Sequence, residues 1–362
     1  MRILYGVQGT GNGHITRARA MAPALAAQGA EVDFVFSGRP GDKFFDMQPF
    51  GDYALCTGLT MVTEGGRIRA LKTLTRATPG KFFREVRTLN TRNYDLILTD
   101  FEPVTAWAGR LCKTPVLGLG HQYAFRYAIP QHYGGPHHQL IMKYFAPTPA
   151  ALGFHWYHFD MPILPPIAPV PKGEAPICLD SIVVYLPFET PGEIETLLAP
   201  FSDYQFQVFH PEAKAARCDH IRWFQPSREG FQQALESCNG VICNAGFELA
   251  SEVLQLGRKL LVKPVAGQSE QLSNALALRL IGLGYTMPGL DADVVRIWLR
   301  EGRAVRVRYP DVAGEVARWI TNGCFDDNSG IERLANRLWR QTRFPSEPLF
   351  TTQEIEEFAI RP

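Results

Sequence analysis

The chain has 362 residues, 46% of them apolar and 20% charged, with 37 Lys+Arg against 36 Asp+Glu. That length suits two domains with cores of their own, and the composition excludes a disordered, collagen-like or coiled-coil chain. A formal net charge of +1 argues against a nucleic-acid partner, because such binders carry a dominant basic footprint.

Seven cysteines (Cys56, Cys112, Cys178, Cys218, Cys238, Cys243 and Cys324) are odd in number and scattered, with no CxxC pair. They read as reduced thiols, not as a disulfide framework or a zinc site. No apolar run has the length of a membrane-spanning helix, and Ile3–Val7 is too short for a signal-peptide core. A soluble, cytoplasmic protein is expected.

Ile3-Leu4-Tyr5-Gly6-Val7 is a short apolar run of the kind found in a strand buried on both faces. A glycine-rich loop follows, Gly9-Thr10-Gly11-Asn12-Gly13, then a helical stretch from about Ile15 to Gln28 and a second strand from Glu31 to Phe36. Strand, helix and strand with short joints make a right-handed βαβ unit in a parallel sheet. Leu96–Asp100 and Pro115–Leu119 read as later strands of that sheet. Six prolines between Pro162 and Pro176 exclude helix and central strand, and mark the linker between domains. Beyond it Ser181–Leu186, Gln205–Phe209, Val241–Cys243 and Lys259–Val262 are strand candidates, and the tail is helical from about Gly330. The expected architecture is α/β: two doubly wound parallel-sheet, Rossmann-like domains (1–161 and 177–335) facing across a cleft. A Pro-rich linker, 162–176, joins them, and a helical tail, 336–362, returns to the first.

The first glycine loop is a ready anion site, since free N–H groups and the helix dipole favour phosphate. It lacks the third glycine of the dinucleotide fingerprint, which is His14 here, and it lacks the lysine of a P-loop. His14 follows Gly13 at the positive end of a helix, where a neutral imidazole is favoured and can act as a base. Asp100 ends a parallel strand at the same sheet edge, so the two can meet, and a carboxylate on one ring nitrogen orients the other. The plainer reading makes His14 a helix cap and Asp100 the start of a turn.

In the second half, Val241-Ile242-Cys243 runs through Asn244-Ala245-Gly246 into a helix that carries Glu248 and Glu252 on one face. Such a helix start suits a diphosphate, and a carboxylate one turn on can accept bonds from vicinal ribose hydroxyls. Glu270 and Gln271 supply the acceptor and amide groups that recognise a sugar. An ordinary βαβ with solvated helix ends would present the same residues without a ligand.

These pieces resemble the GT-B glycosyltransferases, in particular the branch holding the lipid II N-acetylglucosaminyltransferase and the small-molecule UDP-glucosyltransferases. The matching segments are GTGNGHITRA near the start, LILTDFEPVTAWAGRLCKTPVLGL at 96–119 and CNAGFELASEVLQLGRKLLVKPVAGQSEQLSNALAL at 243–278. The resemblance implies a nucleotide-sugar donor, UDP-linked in that branch, and an inverting transfer to an acceptor hydroxyl that needs no metal or other cofactor. It makes His14 the base and Asp100 its orienting group. Gly11 and Gly13 would approach the diphosphate or the acceptor, and Asn244, Ala245 and Gly246 would hold the diphosphate. Glu252 would hold the ribose, Glu270 and Gln271 the transferred sugar, and Phe224 and Gln225 of the loop Trp223–Pro226 the base. Where that family often has a Gly-Gly-Ser-like loop this chain reads Leu186-Pro187-Phe188-Glu189-Thr190, leaving Thr190 as its one hydroxyl. Glu102, His121 and Tyr123 are acceptor-side candidates. A sugar-nucleotide 2-epimerase or a non-catalytic nucleotide-sugar-binding protein could share the fold.

Between Arg67 and Arg92 lie eight Lys/Arg and one acid, Glu85, a local charge of +7. With Leu71, Leu74, Phe82 and Phe83 among them, the segment suits either a solvated acceptor-side face or an anionic membrane surface that would bring a lipid-linked acceptor within reach. Asp291-Ala292-Asp293 has a metal-binding pattern but precedes an amphipathic stretch, so an N-cap explains it better. His137-His138 and His155-x-x-His158 lack accompanying cysteines or carboxylates at metal-ligand spacing.

Overall fold

The computed structural model describes residues 1–59, 63–64, 67–68, 79–132, 140, 142–170, 175–213, 219–323 and 328–345. The chain opens with strand β1 (Arg2–Gln8), helix α1 (Asn12–Ala27) and strand β2 (Glu31–Ser37). Alternation along β1 splits its side chains between two layers. Ile3, Tyr5 and Val7 enter the main core, while Leu4 packs on the other face with Val35, Ile97 and Val116. Gly6 lies on that second face too, and it is a glycine because a Cβ there would collide with Thr105.

The first domain continues through β3 (Tyr53–Leu55), a small antiparallel pair β4 (Thr63–Glu64) and β5 (Arg67–Ile68), and α2 (Pro79–Thr88). It then runs through β6 (Leu96–Asp100), α3 (Pro103–Cys112), β7 (Val116–Gly120), a 3-10 turn His121–Arg126 and β8 (Ala150–Gly153). The second domain comprises β9 (Cys178–Tyr185), α4 (Pro191–Leu198), β10 (Gln205–Phe209), β11 (Ile221–Phe224), α5 (Arg228–Ser237) and β12 (Cys238–Asn244). After these come α6 (Phe247–Leu256), β13 (Lys259–Lys263), α7 (Ser269–Leu280), β14 (Tyr285–Thr286), α8 (Ala292–Glu301), α9 (Val312–Thr321) and α10 (Asn328–Gln341).

Two six-stranded parallel sheets result, ordered β3-β2-β1-β6-β7-β8 and β11-β10-β9-β12-β13-β14. Both therefore reverse winding beside their first strand, between β1 and β6 and between β9 and β12. Crevices outside the carboxyl ends of strands at such switch points are where open α/β sheets bind ligands.

Four edge strands, β3, β8, β11 and β14, were not anticipated from the sequence. They are two to four residues long; β3, β11 and β14 are largely exposed, and β8, though buried, is too short for its apolar run to mark a strand. The segment read as the loop Trp223–Pro226 is corrected at its start: Trp223 and Phe224 end β11. The Pro-rich stretch is packed over its first half. Ile163 and Leu164 are fully buried, and Leu164 bridges to Phe154 beside β8. The return to the first domain also begins ahead of the tail, because α9 packs on α1. At the end of α10 the Trp339 indole donates to the Ile163 carbonyl (2.6 Å) and lies against Tyr157 and His158.

Candidate active site

Parallel pairing sets Val7 of β1 beside Asp100 of β6, so the loop leaving β1 and the end of β6 emerge together. Gly11 caps α1 in extended conformation, which puts Asn12, Gly13 and His14 in the helix's first turn. His14 Nδ1 lies 2.6 Å from Asp100 Oδ1. The Asp100 carboxyl is fully buried, which alone would raise its pKa. Arg17 and His14 outweigh that and hold it below the ordinary value. An ionised Asp100 has no proton to give, so the shared proton sits on Nδ1, and Nε2 is the nitrogen that can accept when the ring is neutral.

Arg17, one helical turn after His14, is the main feature that the sequence reading missed. It forks onto Asp100, with Nε donating to Oδ2 (2.7 Å) and Nη2 to Oδ1 (2.8 Å). Its Nη1 pairs with the Glu248 carboxylate on α6, so one buried guanidinium ties the two domains together. Burial works against its charge, yet the two carboxylates drive its pKa above the ordinary arginine value. A charged residue three positions after His14, inside the buried stripe Ile15, Ala18, Met21 and Leu25, was the available signal. On the other side of α1, Asn12 Nδ2 donates to the Tyr185 hydroxyl of β9 (3.1 Å).

Across the cleft, Gly246 caps α6 in extended conformation, and a Cβ on it would meet nothing within 4 Å; the same holds for Gly11. Both helix starts are thus open to a ligand. Gly13 is not: a Cβ there would lie 2.5 Å from Glu248 Oε2, so its missing side chain makes room for that carboxylate. Asn244 ends β12 with Nδ2 donating to Glu189 Oε2 and the Lys263 carbonyl, both at 3.1 Å, while its Oδ1 is buried without a partner among the described residues. Glu189 also pairs with Lys263. Ala245 is buried, and its carbonyl accepts from Asn274 Nδ2 (2.9 Å). Thr190 forms a capping box with Glu193 at the start of α4, so its hydroxyl is engaged.

Glu252 lies one turn along α6 from Glu248 and accepts from Gln232 Nε2 (2.9 Å). Burial pushes its carboxyl up to about 7, against the Gln232 hydrogen bond and reinforced by Glu248. Glu270, in the first turn of α7, receives the Gln122 amide at 3.1 and 3.2 Å, and burial raises its pKa. Gln271 Oε1 accepts from the Val265 N–H (2.9 Å). Phe224 is 38% exposed and stacked on Phe209 (5.1 Å). With Gln207, Gln225, Ser227 and Gln233 these rings line a hollow of about 340 Å³ beside α5.

A family model described as glycosyl transferase family 1 matches residues 1–145 and 166–301, most of the chain and both halves of this cleft. The chain belongs to glycosyl transferase family 1. No curated protein matches it in sequence. Its fold is similar to the glycosyltransferase SnogD from Streptomyces nogalater, 16% identical, with 94% of this chain and 99% of that one covered and a TM-score of 0.51. SsfS6, a glycosyltransferase of Streptomyces sp. SF2575, is 15% identical over 94% and 96% of the two chains, with a TM-score of 0.54. The glycotransferase of kitacinnamycin is 12% identical over 94% and 99%, with a TM-score of 0.58. At these identities the likeness is one of fold, and the architecture is GT-B.

Three acceptor-side expectations for this family 1 glycosyltransferase are corrected by burial. His121 is fully buried, with ring nitrogens 2.7 Å from the Phe154 carbonyl and 2.6 Å from Asn274 Oδ1, and its ring stacks on Phe247 at 4.0 Å. It cements the domains, and burial pushes its pKa down to about 4. Tyr123, also fully buried, donates to the Ala146 carbonyl (3.3 Å). Glu102 is the buried N-cap of α3, accepting from the Val104 N–H (2.9 Å), the Thr105 N–H (2.7 Å) and Ser37 Oγ (2.6 Å). The turn after β7 packs against β8, and His121 is closed off on its other side by Asn274 and Phe247 of the second domain.

The metal-like patterns of the glycosyltransferase are used otherwise where they are described. Asp291 caps α8, accepting from the Asp293 and Val294 N–H groups, and Asp293 pairs with Arg296. His155 accepts from the Trp156 N–H (2.9 Å) and His158 from the Asp160 N–H (2.9 Å). His137 and His138 lie outside the described residues, as do residues 69–78 of the basic segment. Among the described residues no helix is long and apolar enough to cross a membrane.

Proposed function

We propose that this glycosyltransferase moves a sugar from a nucleoside diphosphate sugar, UDP-linked, to an acceptor hydroxyl by one inverting displacement without a metal. The observation that carries the reading is the His14–Asp100 pair, which leaves Nε2 without a partner among the described residues, together with the open helix starts at Gly11 and Gly246. His14 Nε2 takes the acceptor proton as the acceptor oxygen bonds to the anomeric carbon. The bond from that carbon to the diphosphate breaks, and its electron pair leaves with the diphosphate. An α-linked donor then yields a β-glycoside. Main-chain N–H groups following Gly11 and Gly246 would stabilise the leaving charge, a task that helix N-termini perform without a cation. Glu252 would hold the ribose, Phe224 and Gln225 the base, and Glu270 with Gln271 the transferred sugar.

The acceptor side of the reading rests on a surface of the first domain. Phe83 on α2, Leu111 on α3, Leu140 and Tyr144 are large exposed apolar side chains. Lys81, Arg84, Arg87, Arg110, Lys113 and Lys143 are exposed among them, and Glu85, the one acid of α2, is taken up by the Thr57 and Gly58 N–H groups. The helices are joined here: α2 packs on α3, and the Trp107 indole donates to the Tyr144 carbonyl (3.2 Å). A cationic, aromatic face of this kind suits an anionic bilayer, and with it a lipid-linked acceptor at the inner face of the cytoplasmic membrane.

A thermal-shift panel of UDP-, GDP- and dTDP-sugars tests class and donor together, because ligands of the native state raise its melting temperature. A UDP-sugar is expected to give the largest rise. Conversion of the sugar nucleotide with no acceptor present would instead identify an epimerase.

A further inference from the structure

Gln122 sits in the 3-10 turn after β7 and reaches into the second domain. Its Nε2 donates to both oxygens of the Glu270 carboxylate, at 3.1 and 3.2 Å. The same turn and the chain beyond it hold α7 at two further points: His121 Nε2 lies 2.6 Å from Asn274 Oδ1, and the His132 N–H donates to Ser273 Oγ (2.9 Å). Residues spaced as Glu270, Ser273 and Asn274 are share one helical face. The docking of α7 thus has anchors of its own, and the bond to Glu270 is additional to them.

Two features set that bond apart from packing. Gln122 is buried, and its Oε1 has no partner among the described residues. Buried amides are ordinarily bonded at both ends, whereas here the donor end is committed to Glu270 and the acceptor end goes without. The partner is also of a kind that leaves a carboxylate usable. The ionisable groups acting on Glu270 are His14, Glu248 and Arg17, and of these Arg17 is taken up by Asp100 and Glu248 and His14 by Asp100. A cation paired with Glu270 would cancel its charge. A neutral amide fixes the direction of the carboxylate and leaves lone pairs on both oxygens open. Glu270 keeps part of its surface exposed for such a use. Gly120 brings this unit up to the dyad, since a Cβ on it would lie 3.2 Å from Gln122 Oε1 and 3.3 Å from Asp100 Oδ1.

We propose that Gln122 is a positioning residue for donor selection: by holding the Glu270 carboxylate without neutralising it, this side chain of the first domain sets how strongly the protein discriminates the transferred sugar. The inference rests on the reading of Glu270 as a sugar-binding carboxylate, and it adds that a residue of the other domain fixes its aim. An ionised carboxylate held in one direction accepts strong hydrogen bonds from sugar hydroxyls, and a donor lacking such a hydroxyl leaves a desolvated charge unpaired. Deoxygenated sugars are therefore rejected to the extent that the carboxylate is held.

The test is a calorimetric titration of the full-length protein with UDP, with UDP-glucose and with UDP-glucose lacking one hydroxyl at C2, C3, C4 or C6. In Gln122→Leu, UDP is expected to bind as it does to the wild type, while UDP-glucose loses about tenfold, the scale of a hydrogen bond to a charged group. The deoxy donor that the wild type rejects most should lose less than UDP-glucose does. The exchanged pair Gln122→Glu/Glu270→Gln restores the hydrogen bond between the domains with its ends reversed. It should recover the melting temperature and not the affinity for UDP-glucose, because the carboxylate then stands on the wrong side. An unchanged gap between UDP and UDP-glucose in folded Gln122→Leu overturns the proposal, and so does an exchanged pair that binds UDP-glucose like the wild type. Should Gln122→Leu fail to fold, the exchanged pair decides alone. A wild type that binds neither UDP nor UDP-glucose would instead overturn the donor reading on which the proposal stands.

Discussion

Gly13 on α1 and Glu248 on α6 touch across the domain boundary: a side-chain carbon on Gly13 would lie 2.5 Å from the Glu248 carboxylate and 3.2 Å from its Cδ. The contact explains a glycine in the first turn of a helix without invoking an unusual backbone, because Gly13 has ordinary helical geometry and no positive φ. Gly13→Ala should therefore push Glu248 off Arg17 and cost about 1–3 kcal/mol, the usual penalty for overpacking. Gly11→Ala meets open space and should stay within about 1 kcal/mol, the scale of a changed N-cap. Thermal melts of the two variants compare them directly, and equal losses would sink this account of Gly13.

The dyad makes a separate prediction. His14→Ala should lower transfer by at least 10²–10⁴-fold, on the order of a lost general base, while UDP titrated in a calorimeter binds nearly as before. Equal losses in binding and turnover would make the residue structural.

Asp100 carries a stability cost as well as a catalytic one. Asp100→Ala leaves the Arg17 guanidinium buried with Glu248 as its remaining partner and should destabilise the fold by about 3–5 kcal/mol, the penalty for breaking a buried pair. Denaturant unfolding measures this, and a loss below 1 kcal/mol would contradict it.

Glu252 behaves in the opposite sense. Burial raises its carboxyl to about 7, so the folded protein holds a proton there that the unfolded chain releases near the ordinary value. Its contribution to stability is therefore present at acid pH and is lost as pH rises towards 7. Glu252→Gln keeps an acceptor for Gln232 and carries no charge, so it should raise stability at pH 8 by up to about 3 kcal/mol. The same variant should bind the donor more weakly, and the fall in donor affinity of the wild type below pH 7 should vanish in it. Melting curves and donor titrations at pH 5.5 and pH 8 check both halves.

The basic, aromatic face is tested by flotation with phosphatidylglycerol vesicles at moderate salt. Replacing Arg84, Arg87 and Arg110 with Glu should lower binding by about 10² or more, since each basic side chain near an anionic surface is worth about 1 kcal/mol. Phe83→Ser should weaken binding with less dependence on salt. No flotation of the wild type would remove the membrane from the reading.

Apolar spacing by itself determined the central strands of both sheets, because β1, β6, β7, β12 and β13 are buried on both faces and read as short apolar runs. The rule that parallel strands deliver their ends to one edge was enough to bring His14 to Asp100, 86 residues apart. Only the tertiary structure decided which polar residues near that edge face the cleft and which are consumed by packing. Glu102, His121 and Tyr123 look like site residues in sequence and are buried, because their segments turn inward. Arg17 looks like an ordinary helix residue and lies beneath the dyad. The 231-residue separation of Arg17 and Glu248 is the physical reason. Local pattern reports which face of an element is apolar, whereas a charge placed on that face takes its meaning from the domain that docks against it.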